Sequence, residues 1–326
     1  MQLALHELYA TRTPCYNHGT LRESQRLTDH GIQSQPRPAK LESMRRLLTL
    51  FLWLPWAAAS IAQTAPVLTP AQAHALVGRA LATESRAAQH FGHHHPMRYR
   101  LRKSSPRITT TKEIVETVDG DVARLVAINN QPLSQLDEQL EEARLDALLS
   151  DPARQRHRKQ SEESDTGMVL KLLRMLPQAF TYEYEGADAF GKVEKFRFHP
   201  NPSFSPPDLE TQALTAMVGE LWIDAAEERV TRLEGHLQQD TNYGLGILGK
   251  LDKGGWIVLE QADVGTGQWR IARFQIKMSL RILFKTKDFD SVQEMSQYTP
   301  VSASLDYRQA IQMLRGGPER VAPEAH

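Results

Sequence analysis

The chain has 326 residues, with 39 Lys+Arg against 39 Asp+Glu for a net charge of zero, and 40% of it is hydrophobic. Residues 1 to 62 hold 7 of the basic and 4 of the acidic side chains, so the remaining 264 residues carry 32 against 35, a net charge of −3. That balance argues against a nucleic-acid partner, which needs a concentrated basic surface, and the length is enough to bury a sizeable core as one large domain or two small ones.

Residues 1 to 43 are rich in Gln, Arg, Ser and Thr and read as a disordered extension or a misassigned start, with translation beginning at Met44. The single cysteine, Cys15, lies in this stretch. Beyond it there is no disulfide, no thiol nucleophile and no cysteine metal ligand. Arg45 and Arg46 then precede an apolar run from Leu47 to Ala59, and Ser60-Ile61-Ala62 places small residues where a signal peptidase reads. Residues 44 to 62 therefore read as a signal peptide cleaved near Ala62, giving a periplasmic or secreted product. A buried structural helix would need neither the paired arginines nor the small residues. The run is shorter than the roughly 20 residues that cross a bilayer, so no permanent membrane span is expected. No cysteine follows it for acylation, which favours a released product.

The part from 63 to 96 opens with a helix. Thr69-Pro70 is an N-cap followed by proline at the first helical position, and Ala75, Leu76, Ala80 and Leu81 fall near one face between Ala71 and His90. The histidine-rich segment His90, His93, His94, His95, closed by Pro96, ends it. His90 and His94 at helical i, i+4 spacing would suit a metal, but no Asp, Glu or Cys lies in the run, so an exposed helix end is expected and no metal or cofactor. Strands are expected at Met97–Lys103 and Ile108–Val118, then, across the hairpin signal Asp119-Gly120, at Asp121–Asn129.

From Ser134 to about Ser161 the chain is dense in helix formers, with an apolar stripe at Leu136, Leu140, Leu145, Leu148 and Leu149. A second amphipathic helix is expected from Asp165 to Leu176, capped by Asp165 and stopped by Pro177. Together they form a helical insertion, 134–176. The run Arg154 to Lys159 reads as a solvated face, because Glu162, Glu163 and Asp165 balance it.

After Pro177 the pattern turns to period two. Phe180, Tyr182 and Tyr184 share one face against Thr181, Glu183 and Glu185. Val193 to Phe198 continues it, and the proline-rich loop His199 to Pro207 breaks it. Further strands are expected at Leu221–Asp224, Arg229–Gln239, Trp256–Val264 and Gln268–Lys287. In the last, Ala272, Phe274, Ile276, Met278 and Leu280 oppose Arg273, Gln275 and Lys277. Residues 291 to 326 read as a C-terminal tail. The expected fold class is α+β: a strongly curved antiparallel sheet, an open half-barrel, packed on helices.

Gly244-Leu245-Gly246-Ile247-Leu248-Gly249 fits G-x-G-x-x-G literally, but Lys250 to Gly255 lead into a strand, so a glycine-rich hairpin connection is expected instead of a nucleotide loop. There is no G-x-S-x-G elbow and no H-E-x-x-H helix, and the acidic residues are scattered along solvated faces. No catalytic residue is assigned, and the expectation is a protein that is not an enzyme.

The segments Gly219 to Asp224, Arg229 to Gly235, Gly254-Gly255-Trp256 and Val264 to Trp269 resemble successive strands of the LolA/LolB-like superfamily of bacterial periplasmic lipoprotein carriers, a likeness spanning about residues 97 to 290. The resemblance implies an open curved sheet with an apolar concave side closed by helices, holding acyl chains or a lipidated partner. The helical insertion and the proline-rich loop are larger than a simple carrier needs. The strand aromatics Phe180, Tyr182, Tyr184, Phe196, Phe198, Trp222, Trp256, Trp269 and Phe274 are the candidate lining of such a groove, with ordinary packing against the helices as the alternative. The expected ligand is a lipid, lipoprotein or other amphiphile. An envelope protein docking on the same fold is the second reading, and an enzyme acting on an envelope lipid or glycan the third.

Overall fold

A computed structural model describes residues 68–89, 95–243, 249–265, 267–282 and 285–316. All belong to the larger of two units, which takes in residues 65–326. The segment read as a signal peptide, 44–62, Cys15, His90 to His94 and most of the G-x-G-x-x-G segment lie outside the described residues.

Helix α1 (Pro70–Gln89) starts as its sequence dictates, with Pro70 in the first turn. Thr69 and Gln72 exchange backbone-to-side-chain bonds, the Thr69 N–H donating to the Gln72 amide oxygen at 3.0 Å and the Gln72 N–H to the Thr69 hydroxyl at 3.4 Å. Its buried stripe is Ala73, Leu76, Val77, Ala80, Leu81 and Glu84. Three strands follow: β1 (Met97–Ser104), β2 (Thr109–Val115) and β3 (Val122–Ile128), then the two-residue β4 (Gln131–Pro132). The β2–β3 turn needs Gly120, whose φ is +95°.

The helical insertion is divided otherwise than its composition suggests. Helix α2 (Gln135–Ser150) stops at Asp151, and α3 runs from Pro152 to Ala179 without a break at Asp165. The boundary is set by Asp151-Pro152: the Asp151 carboxylate accepts the N–H groups of Ala153 and Arg154, and proline suits a first turn, where its missing N–H is not needed. Pro177 lies inside the last turn of α3 and does not end it. So near the C-terminus, α3 loses little beyond one helical bond.

Strands β5 (Phe180–Ala187), β6 (Val193–Pro200), β7 (Met217–Asp224) and β8 (Arg229–Leu237) form one antiparallel meander. The short α4 (Leu209–Gln212) and a 3-10 turn lie between β6 and β7. The strands β9 (Thr241–Tyr243) and β10 (Gly249–Leu251) pair antiparallel on either side of the glycine-rich segment. Strands β11 (Trp256–Asp263), β12 (Trp269–Ile282) and β13 (Lys285–Pro300) form the second meander. The single strand expected at Gln268–Lys287 is thus two, paired as far as Ile282 with Lys285. Leu283-Phe284 carries no Gly, Pro, Asn or Asp to announce a reversal.

The boundary expected at 290 falls inside β13, and helix α5 (Tyr307–Arg315) follows it, started by an Asp306–Gln309 capping box. Residues 291 to 316 are no tail, because α5 buries Tyr307, Ala310, Ile311 and Leu314.

The sheet runs β4-β3-β2-β1-β13-β12-β11-β8-β7-β6-β5, all neighbours antiparallel and the two ends unpaired, so it is curved and open. Register shifts within five strand pairs supply local bends. Helices α1 and α3 cover the concave face of β5 to β8, burying Leu76, Phe196, Phe198 and Leu221 together. On β2 the alternation divides two cores: Ile114 packs with Tyr99 and Phe274, while Val115 packs with Leu145 of α2 and Ile311 of α5. Helix α2 also shields the edge of β3, Glu141 accepting the Leu125 N–H at 2.8 Å and Arg144 donating to the Ala123 carbonyl.

Candidate functional site

Between α1, α3 and the concave sheet lies a cavity of about 260 Å3. Its helical wall is Leu81, Ala87 and Ala88 of α1 with Val169, Leu173 and Leu176 of α3, and its floor is Leu221, Val230, Leu233, Leu259 and Ile271. Each side follows from period. In α1 the residues 77, 80, 81, 84, 87 and 88 continue one stripe at spacings of three and four, and α3 does the same at 169, 173 and 176. On the sheet, Leu233 and Leu259 are partners across β8 and β11 and share the concave face.

One charge interrupts the α1 stripe. Glu84 is buried, and both its oxygens are met by Arg229 at the start of β8, at 2.9 and 3.1 Å, while the Val230 N–H donates to it at 2.9 Å. The Arg229 guanidinium lies 5.7 Å from the ring centre of Trp269. The pair pins α1 to the sheet along the cavity wall. Gln261 donates to the Val230 carbonyl at 2.9 Å, and Arg270 to the His95 carbonyl at 2.7 Å.

The aromatic candidates separate into four places. Trp269 lines the cavity. Phe180, Phe196 and Phe198 are buried in the helix–sheet core, with the Phe180 and Phe198 rings 4.6 Å apart, and Phe274 lies in the central core beside Ile276. Tyr182 and Tyr184 pack against the first of these cores, their hydroxyls donating to the Leu176 carbonyl at 3.0 Å and to Glu194 at 2.6 Å. Trp222 and Trp256 face the convex side. Trp222 alternates with the buried Leu221 and Ile223 and carries Lys195 Nζ 4.3 Å from its ring centre. Trp256 sits opposite His236 and Lys277. The cavity-lining aliphatics of α1 and α3 were hidden, since an apolar helical stripe reads the same whether it meets a core or a cavity.

A second cluster lies where α3 crosses the β2–β3 turn. Gln155, Lys159 and Glu162, on one face of α3, bond the backbone of that turn. Gln155 donates to the carbonyls of Asp119 and Gly120, Lys159 donates to that of Val118, and Glu162 accepts the Asp121 N–H at 3.0 Å. Burial, reinforced by the Asp121 charge, raises the Glu116 and Glu162 carboxyls from 4.5 to about 8. Burial raises Asp121 to about 6, against the opposing charge of Arg158. A carboxyl whose pKa is higher folded than unfolded holds extra protons in the folded state, so its stabilisation is complete below the unfolded pKa and is lost as pH rises to the folded one. The melting temperature is therefore expected to fall between about pH 5 and pH 8, and Glu116→Gln to flatten the slope. Thermal scans across that range check it, and a profile that is flat or rising with pH contradicts it.

Among the described residues, no helix is long and apolar enough to cross a membrane, and no group of three or more His, Cys, Asp or Glu is placed to hold a metal ion. No protein-family model matches the sequence, and no curated protein matches it significantly. Among solved structures, the chain is similar to a crystal structure from Vibrio parahaemolyticus of a domain named for outer membrane lipoprotein sorting. The identity is 10% and the TM-score 0.25, over 72% of this chain and 97% of that one.

Proposed function

We propose that this chain is an exported carrier, not an enzyme, that holds an acyl chain of a lipid or lipidated protein in the cavity between α1, α3 and the concave sheet. The observation that carries the reading is the cavity itself: about 260 Å3, walled by aliphatic side chains from both helices and four strands. That is just under the volume range of drug-sized sites, which suits one short acyl chain or part of a longer one. Each methylene transferred from water contributes roughly 0.8 kcal/mol, so eight buried methylenes supply about 6 kcal/mol before the cost of ordering the chain. Trp269 is the one aromatic candidate retained as a lining residue; the others support the walls or lie elsewhere.

The test is organic extraction and mass spectrometry of the protein recovered from a periplasmic fraction without detergent. A stoichiometric lipid or acylated peptide is the expected finding. Absence of both, together with no uptake of a fluorescent fatty acid, refutes the carrier and moves the assignment to a protein-interaction module.

A single substitution sharpens this. Val169 is 3% exposed and projects from α3 into the wall. Val169→Phe fills part of the space, and uptake of the fluorescent fatty acid is expected to weaken at least about tenfold while strain in the folded protein stays near 1–3 kcal/mol. Unchanged uptake by a folded variant would place the ligand somewhere else.

A further inference from the structure

The cavity has two unlike ends. Among the described residues, the charged and amide side chains of its wall gather at one of them: Glu84 with Arg229, Gln261 bonded to the Val230 carbonyl, and Gln268 and Arg270 on either side of Trp269 at the start of β12. Trp269 pairs with Asp263 at the end of β11, and Leu259 stands four residues back along that strand, about 13 Å away. There the floor is Leu221, Leu233 and Leu259, neighbours across β7, β8 and β11. At the polar end the Trp269 indole Nε1 and the Gln268 side-chain oxygen are both buried, and neither has a hydrogen-bond partner among the described residues. Folded proteins pair the large majority of such atoms, so two neighbouring exceptions on one cavity wall point to a ligand.

We infer that the cavity takes an acyl chain in one direction only, with the oxygen of its head accepting from the Trp269 indole N–H and its methyl end among Leu221, Leu233 and Leu259. The inference rests on the carrier reading above and adds the direction of the chain and the contact that sets it. A carboxylate, an ester and an amide all carry an oxygen that can accept from the indole. The Gln268 amide offers its oxygen or, turned over, its NH2 to the rest of the head, and Arg270, which donates to the His95 carbonyl, adds a positive charge beside them. The direction is therefore set by the oxygen, whatever the charge of the head. In the reversed chain that oxygen would lie among three leucine side chains, which donate nothing, and the methyl end would leave Trp269 and Gln268 unpaired. Either failure disfavours the reversed chain by about tenfold or more.

The experiment places a bromine at either end of one chain, because bromine in contact with an indole quenches its fluorescence. The full chain, stripped of bound lipid, is saturated with 2-bromodecanoate or with 10-bromodecanoate, and calorimetry confirms that each is bound. The emission missing from Trp269→Phe is that of Trp269. The 2-bromo probe is expected to quench this emission at least about twofold more than the 10-bromo probe, and Trp269→Phe, which keeps a ring beneath Arg229, to bind decanoate several-fold more weakly. Equal or reversed quenching by the two bound probes, or unchanged affinity in a folded Trp269→Phe, overturns the inference and leaves the carrier standing. Binding of neither probe overturns both. Where the variant fails to fold, total emission of the unaltered chain decides the question, since the other tryptophans add the same background to both probes.

Discussion

Gly219→Ala is expected to lower the stability of the chain by about 3 kcal/mol or more, the range of severe backbone and packing clashes. Gly219 sits in β7 opposite Gly235 of β8, with Phe198 of β6 on its other side. A methyl added there would stand 1.8 Å from the Glu234 carbonyl oxygen and 2.8 Å from the end of the Phe198 ring. No rotamer change relieves the first contact, because it is backbone. Moving β7 away is also blocked, since it is bonded to a strand on each side and Phe198 is 1% exposed in the core. The partner glycine is the control. At Gly235 the added methyl would meet Met217 Sδ at 2.8 Å and Cγ at 3.2 Å, the far part of a flexible side chain that has room to shift. Thermal unfolding of both variants checks the argument: Gly219→Ala is expected to lose roughly 6–12 °C, Gly235→Ala much less. Equal losses would mean that the close approach at Gly219 has no special weight.

Glu84→Leu is the second large effect. It leaves the Arg229 guanidinium, whose side chain is 13% exposed, without its partner, and removes the acceptor of the buried Val230 N–H. Removing one member of a buried pair costs about 3–5 kcal/mol because the other charge stays in a place with little water. The double variant Glu84→Leu with Arg229→Met is expected to recover much of that loss, since two apolar side chains of similar size replace the pair. Urea unfolding of the two single variants and the double one gives the coupling directly. Should the double variant be no more stable than Glu84→Leu alone, the pair is not what holds α1 to β8. The same substitution loosens a cavity wall, so uptake of a fluorescent fatty acid is expected to fall along with stability.

Most of the strands were legible because alternation survives in them. Phe180, Tyr182 and Tyr184 do share the concave face, and Asp119-Gly120 does make the β2–β3 turn. Helix divisions were harder. Asp151-Pro152 is a capping pair as good as many, but it stands amid Glu, Arg and Gln that favour helix on both sides, and composition alone runs across it. The reversal after Ile282 has no turn residue to betray it.

The site was partly legible for a related reason. Period two assigns a side chain to a face, yet it does not say what lies over that face. Phe196 and Phe198 lie under a helix and are core; Trp269 opens on a cavity; Trp222 is one residue out of phase with the buried Leu221 and Ile223, Trp256 is one out of phase with the cavity-lining Leu259, and both face the other way. The unpaired atoms of Gln268 and Trp269 have no signature in the sequence at all, since a buried Gln or Trp is recognisable only by its neighbours.

The pairing of β1 with β13 joins Met97 to Pro300 in the middle of the sheet. Until β13 has been made, β1 and β12 are both bare edges, and the β1–β4 layer has no seam to the rest. The mean sequence separation of contacts is correspondingly high, which slows folding. Such a chain reaches its final form only after nearly all of it has been synthesised, so the β1–β4 layer waits, unjoined, for the last long strand.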